Sequence, residues 1–205
     1  MTALGIQLEG EEGDTYNKVV RRYQNTVEKF SATELDTLMN NQYCQAGRVT
    51  WTSDEYFASE HSKANAHIEL YTVESKEYPA QIPSWWPAIP KTSAKQPLAG
   101  LKVVDLTRII AGPSITRGLA EMGAQVMRVT AEHINNLSQL HHDLNWGKWN
   151  CYLNLRLAED KEKLRSSILD TDVVVDGYRP GIMAKWGFSR EDISPRYRNQ
   201  SARPR

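Results

Sequence analysis

The sequence predicts an α/β protein: a partial Rossmann-like parallel sheet, preceded by a mainly helical segment and a proline-rich linker. Three observations carry this. Short apolar runs at Leu101–Leu106, Ala124–Val129 and Val173–Val175 have the length of buried parallel strands. Helical patterns separate them, one through Ile115, Leu119 and Met122 and another from Ala158 to Leu169. Five of the nine prolines (Pro79, Pro83, Pro87, Pro90 and Pro97) fall between Tyr78 and Pro97 around Trp85-Trp86, and helix-start signals dominate the residues ahead of them.

The elements follow in order. Val19, Val20, Tyr23, Val27 and Phe30 mark one face of a helix from Thr15 to Phe30, with Asp14 as its expected cap. Ser31-Ala32-Thr33-Glu34 is a capping box, and Leu35, Leu38 and Met39 share the face behind it. Thr52-Ser53-Asp54-Glu55 starts a further helix before Tyr56 and Phe57, and Ile68 to Val73 alternates weakly, as an edge strand does. Residues 1–77 thus hold short elements with little to bury between them, and independent folding is not expected of them. Residues 78–97 read as a stiff, extended linker, because proline at that density excludes helix and sheet interiors. Two adjacent indoles are expected to pin it to a neighbouring surface.

Residues 98–194 read as the α/β domain. The strand ending at Leu106 leads through a short loop to a helix with Pro113 in its first turn, where no N–H donor is needed. Gly123 supplies a left-handed residue after the helix, and the next strand completes a right-handed βαβ unit. Ligands in such sheets sit at the carboxyl ends of the strands, which points to Thr107–Ser114. Thr130 to Asn150 is expected to be a long polar connection holding His133, His141, His142, Trp146, Lys148 and Trp149. Cys151–Leu155 reads as the third strand and Val173–Val175 as the fourth, followed by Gly177-Tyr178-Arg179-Pro180-Gly181. A short helix to Trp186, a stop at Gly187 and a turn capped by Ser189 come next, and residues 195–205 form a basic tail. Strand–helix alternation of this kind calls for a sheet covered on both faces.

Composition narrows the function classes. Twenty-five basic residues balance twenty-five acidic ones, so no overall field favours nucleic acid or an acidic membrane. Two cysteines far apart in sequence, Cys44 and Cys151, fit a reducing compartment rather than a disulfide scaffold. With no long apolar run and an acidic start unlike a signal peptide, the expected location is cytoplasmic and away from membranes. The glycines near the first strand, Gly112, Gly118 and Gly123, match neither the dinucleotide fingerprint nor the phosphate-loop pattern. The helix N-terminus beside Arg108 nevertheless suits an anion. His141-His142-Asp143 lacks metal-ligand spacing, and no metal is expected.

Taken together, PLAGLKVVDLTRIIAGPSITRGLAEMGAQVMRV, GKWNCYLNL and DVVVDGYRPGIMAKWGF resemble the N-terminal part of class III CoA-transferases of the CaiB/BaiF type. That family includes formyl-CoA transferase, carnitine CoA-transferase and α-methylacyl-CoA racemase. Residues from about Gln42 to the linker resemble the connector between two half-units in double-length members. The resemblance implies a Rossmann-like domain that takes coenzyme A or acyl-CoA, a carboxylic acid as the second substrate, and a homodimer of interlocked chains in full-length members. It implies that the loop carrying Arg108, Ile110 and Ala111 lines the thioester end of CoA. Arg156, after Leu153, falls where a basic residue meets the CoA phosphates, and Gly177, Tyr178 and Lys185 match positions around the nucleotide and pantetheine. The family nucleophile is an aspartate that attacks the acyl-CoA, forming mixed-anhydride and thioester intermediates. It lies beyond the matched stretch, and Asp105, Asp172 and Asp176 do not correspond to it. YRNQSARPR stands where the next strand is expected, so the sequence reads as a truncated member with no catalytic residue of its own. The alternative reading is a non-catalytic CoA- or partner-binding remnant.

Overall fold

The computed structural model describes residues 3–7, 9–76, 85–134 and 136–197. Pro79 and Pro83 of the linker, and Arg198, Arg203 and Arg205 of the basic tail, lie outside the described residues. The chain divides into two compact units, Met1–Ser75 and Lys76–Arg205.

The first unit is helical: α1 (Tyr16–Val27), α2 (Ala32–Asp36) running into a π-helical turn (Thr37–Gln42), α3 (Ser53–Ala58) and α4 (Glu60–Asn65). Local signals set its boundaries. Both capping boxes form, Ser31 with Glu34 and Thr52 with Glu55. The cap of α1 is Thr15, whose hydroxyl accepts from the Lys18 N–H, rather than Asp14. Asp14 is drawn off by Arg22, which donates to both of its carboxylate oxygens. The expected edge strand at Ile68–Val73 does not form. No neighbouring strand pairs with it among the described residues, and Leu70, Tyr71 and Val73 are largely exposed.

The second unit is built on a parallel sheet of β1 (Lys102–Leu106), β2 (Gln125–Thr130), β3 (Lys148–Tyr152) and β4 (Val173–Asp176), in the order β3-β2-β1-β4. The connections are α5 (Ala111–Glu121), a polar stretch ending in α6 (His141–Leu144), and α7 (Ala158–Leu169). After β4 come α8 (Ile182–Lys185) and α9 (Arg190–Tyr197). Strand alternation sends Val104 and Leu106 to one face, where they pack with Leu164 and Ile168 of α7, Met183 and Phe188. Val103 and Val126 point to the other face, beside Leu119 and Ala120 of α5. The sheet is therefore covered on both faces, as its apolar runs require.

Three expectations are corrected. The buried side of α5 is Pro113 and Thr116, whereas Ile115 and Met122 face solvent; the helix turns its small and polar residues toward a polar patch on the sheet. The third strand begins at Lys148, three residues before the apolar run, because Lys148 to Tyr152 pairs with Val126 to Thr130; apolar burial starts only at Cys151 and Leu153, while Trp149 and Tyr152 stay exposed. The preceding connection is correspondingly shorter and contains a 3-10 turn (Ser138–Leu140) and α6. Trp86 does pack on the second core cluster, with Trp85 stacked on it at 4.0 Å between ring centroids. Gly123 adopts φ +100°, which lets the chain reverse after α5 into β2.

Candidate active site

β1 and β4 are neighbours, yet α5 leaves β1 toward one face of the sheet and α8 leaves β4 on the other. The carboxyl ends of these strands therefore open a crevice, the usual ligand position in an open α/β sheet. At the fork, the Gly177 N–H donates to the Leu106 carbonyl at 3.2 Å. A Cβ on Gly177 would stand 3.2 Å from the Thr107 side chain, so the two exits touch because residue 177 is glycine.

The loop leaving β1 is held from beneath by a buried polar network. Asp105 is the one wholly buried carboxylate among the described residues. Its Oδ1 accepts from the Thr107 N–H at 3.0 Å and the Thr107 hydroxyl at 2.5 Å. Its Oδ2 accepts from the Thr116 hydroxyl at 2.6 Å and from Lys148 Nζ at 3.1 Å. Lys148 also donates to the Pro113 carbonyl at 2.9 Å and to Thr116 Oγ1 at 2.7 Å. Four acceptor positions and three ammonium donors are thus filled, with both side chains of the ion pair fully out of solvent. Burial holds the Lys148 ammonium below the usual lysine range; Asp105 opposes this, while the nearby Arg128 and Arg117 add to it.

Above this network the loop is unusual. Ile109 has φ +71°, a conformation a β-branched residue adopts at a cost. Arg108 and Ile110 are exposed at its rim and Ala111 opens α5. Gly112 lies against Thr107 so closely that a Cβ would come within 2.5 Å of the threonine Cβ.

Beside the loop runs a groove of about 600 Å³. Leu106, Val129, Leu153 and Met183 line its apolar part, Tyr178 and Trp186 add aromatic rings, and Arg156 and His133 supply the basic groups. Local hydrogen bonds set Arg156 in place. Its N–H donates to Asn154 Oδ1, and Asp160 in the first turn of α7 accepts from the Asn154 N–H. Tyr178 follows a similar turn, its N–H donating to Asp176 Oδ1 at 2.9 Å. Burial pushes the Tyr178 phenol up, and the charge of Arg108 pulls it partly back. A wider hollow of about 1090 Å³ lies against β4, but Asp172 and Asp176 line it alongside Arg190, which makes it the poorer place for a polyanion.

Of the residues expected to bind a ligand, Leu153, Arg156 and Tyr178 line one groove. Arg108, Ile110, Ala111 and Gly177 lie at the adjoining strand exits and outside the groove lining, and Lys185 is exposed on α8, also outside the lining. His133 and Trp186 belong to the lining although nothing in their own spacing marks them. The aspartate within the apolar run LKVVDL does signal a buried polar centre, since a carboxylate among core residues needs partners.

Residues 98–199 match the family model for CoA-transferase family III. The acetyl-coenzyme A transferase nodX of Hypoxylon pulicicidum is 52% identical over 203 residues, covering 98% of this chain and 34% of that protein. A formyl-CoA:oxalate CoA-transferase of Escherichia coli is 32% identical over 117 residues, covering 49% of this chain and 28% of its own length. A crystal structure of a CaiB/BaiF family protein from Brucella suis superposes with a TM-score of 0.46 at 29% identity, over 50% of this chain and 31% of that one. The chain spans about a third of the length of the curated relatives it matches. Among the described residues, no helix is long and apolar enough to cross a membrane.

Proposed function

Residues 98–199 place this chain in CoA-transferase family III, and from that premise we propose that it supplies the coenzyme A-binding part of an enzyme that moves CoA between an acyl-CoA and a carboxylic acid. The observation that carries the reading is the groove in which Arg156 and His133 rim an apolar and aromatic trough at the carboxyl ends of β1 and β2. Cations suit the phosphates of CoA, and the aromatic trough suits its adenine. The Arg108–Gly112 loop is the part of this reading that meets the thioester, with Ile110 and Ala111 facing it and Gly177 leaving room at the fork. Lys185 is a more distant phosphate partner. Acetyl-CoA is the first donor to try, given the acetyl-coenzyme A transferase at 52% identity.

The reading assigns no nucleophile to these 205 residues. Asp105 has every acceptor position occupied inside the fold. Asp172 and Asp176 accept backbone N–H groups, from Lys102 and Tyr178 respectively, and so serve the strand ends. In this reading the chain is a binding part that does not turn over alone.

Thermal unfolding with and without millimolar coenzyme A tests this. CoA at about 100 times its dissociation constant stabilises the folded state by about 2.7 kcal/mol. The expected result is an upward shift that Arg156→Ala abolishes and Lys185→Ala reduces less. A cooperative transition indifferent to CoA overturns the assignment.

A further inference from the structure

We infer that Lys148 is a positioning residue: from β3 it holds the Thr107–Gly112 loop in shape by gripping Asp105, Thr116 and the Pro113 carbonyl at once. Its importance for ligand binding rests on the CoA reading above; its hold on the loop does not. Ile109, a β-branched residue at φ +71°, does not keep that conformation by local preference, so the residues on either side must impose it. On the β1 side, Thr107 is fixed through both its N–H and its hydroxyl to Asp105. On the α5 side, the first turn is fixed where Lys148 donates to the Pro113 carbonyl and to Thr116. Thr116 in turn donates to Asp105, which closes the ring of contacts.

The loop is thus clamped at both ends to one buried ion pair, with five residues between the anchors Thr107 and Pro113. Lys148 is the member that comes from outside the continuous β1–loop–α5 segment, reaching across β2 from the far edge of the sheet. Three partners at three directions suit a lysine ammonium, whose three N–H groups diverge; a planar guanidinium cannot satisfy the same set. Gly112 completes the arrangement by letting the helix start close onto Thr107.

Arg108 gives a direct readout, because it is exposed and trypsin cleaves after it, within the clamped loop. The experiment is limited trypsin digestion of the 205-residue chain, followed by mass spectrometry, beside calorimetric titration with coenzyme A. Thr116→Val removes the shared hydroxyl without leaving a charge unpaired, and Lys148→Met with Asp105→Asn removes the pair as a unit. Both are expected to raise cleavage at Arg108–Ile109 by about tenfold, the factor for losing one or two buried hydrogen bonds, while cleavage after Lys163 and Arg165 in α7 stays unchanged. Thr116→Ser is expected to restore the resistance. Lys148→Arg, which keeps the charge but not the geometry, is expected not to. If only the loop-competent fraction binds, CoA affinity falls in proportion to that closed fraction, so it drops only once the open form ceases to be a minority.

Cleavage rising equally in the loop and in α7 would make the network a general stabiliser and overturn the inference. Unchanged cleavage in Thr116→Val and in the double variant would also overturn it. Should the loop open selectively while the parent chain shows no heat of binding with CoA, the clamp stands and the CoA assignment falls.

Discussion

The two units of this chain are specified in different ways. In Met1–Ser75 the helices α1 to α4 contain no buried residue, and among the described residues of the segment only Ile6 is buried. Its order comes from caps, from the Arg22 pairs with Glu11 and Asp14, and from short-range turns. Tyr16, Val20, Tyr23 and Val27 along α1, with Phe30 just past its end, form an apolar line that is nowhere buried, Tyr16 being 83% and Val20 40% exposed. In Lys76–Arg205 the reverse holds: two core clusters cover a four-stranded sheet, and α7 buries Leu164 and Ile168. Local chemistry alone sets helix ends, whereas only burial between distant residues fixes a fold. The 52% identity to the Hypoxylon pulicicidum enzyme nevertheless extends over both units, while the bacterial match covers half the chain.

The largest difference is expected at the buried ion pair. Lys148→Met alone strands the Asp105 carboxylate, and breaking a buried pair in this way costs about 3–5 kcal/mol. Replacing both partners costs far less, because no charge is left without a partner. Urea unfolding of the two variants checks this. Among the described residues of the first unit no ion pair is wholly buried, and Arg48→Met, at the exposed pair with Asp36, is expected to change stability by less than about 1 kcal/mol. The pH dependence is also specific. Burial lowers the folded-state pKa of Lys148 below the ordinary 10.5, so over that interval the unfolded chain holds the proton more tightly. Stability is then expected to rise as the pH climbs from the lowered value toward 10.5, and the double variant is expected to lose that rise.

A core truncation comes next. Leu164 is fully buried in the cluster with Val104 and Phe188, and Leu164→Ala is expected to cost about 2–5 kcal/mol. Val20→Ala, on the exposed line of α1, is expected to stay within about 0.5 kcal/mol. Equal effects at the two positions would break the comparison. A smaller effect belongs to the first unit's own devices. Ser31→Ala removes one half of a capping box and is expected to cost about 1 kcal/mol of helix stability, read as lost far-ultraviolet dichroism.

The same division explains what the sequence reveals. Caps at Ser31 and Thr52, the bounds of α7 and the stops at Gly123 and Gly187 are legible because each depends on residues within a few positions. The apolar run LKVVDL likewise announces a buried strand, and VVV a half-buried one. The start of β3 at Lys148 is illegible, since a lysine in a strand reads as polar loop until Asp105, 43 positions away, is known to meet it. The orientation of α5 fails for the same reason: Thr116 faces inward because Asp105 and Lys148 wait there, and Ile115 is displaced outward. Arg156 and Tyr178, expected from the family resemblance, line the groove, whereas His133 joins it through a connection whose path no local pattern fixes.

Each unit also carries one cysteine, which allows a comparison without any substitution. Cys44 is exposed in the first unit, and Cys151 lies half-buried on β3, packed against the core that holds Leu153 and Leu164. Burial pushes the Cys151 thiol up, which lowers its thiolate fraction near neutral pH and restricts the approach of a reagent. A thiol-reactive chromophore is therefore expected to consume one equivalent quickly, at Cys44, and the second slowly. The slow phase is expected to accelerate in Leu164→Ala, because opening the core frees Cys151 and leaves Cys44 as it was. Two equally fast phases in the parent chain would mean that β3 frays as readily as the helices of the first unit. The contrast between a segment held by local contacts and one held by its core would then fail at the edge of the sheet.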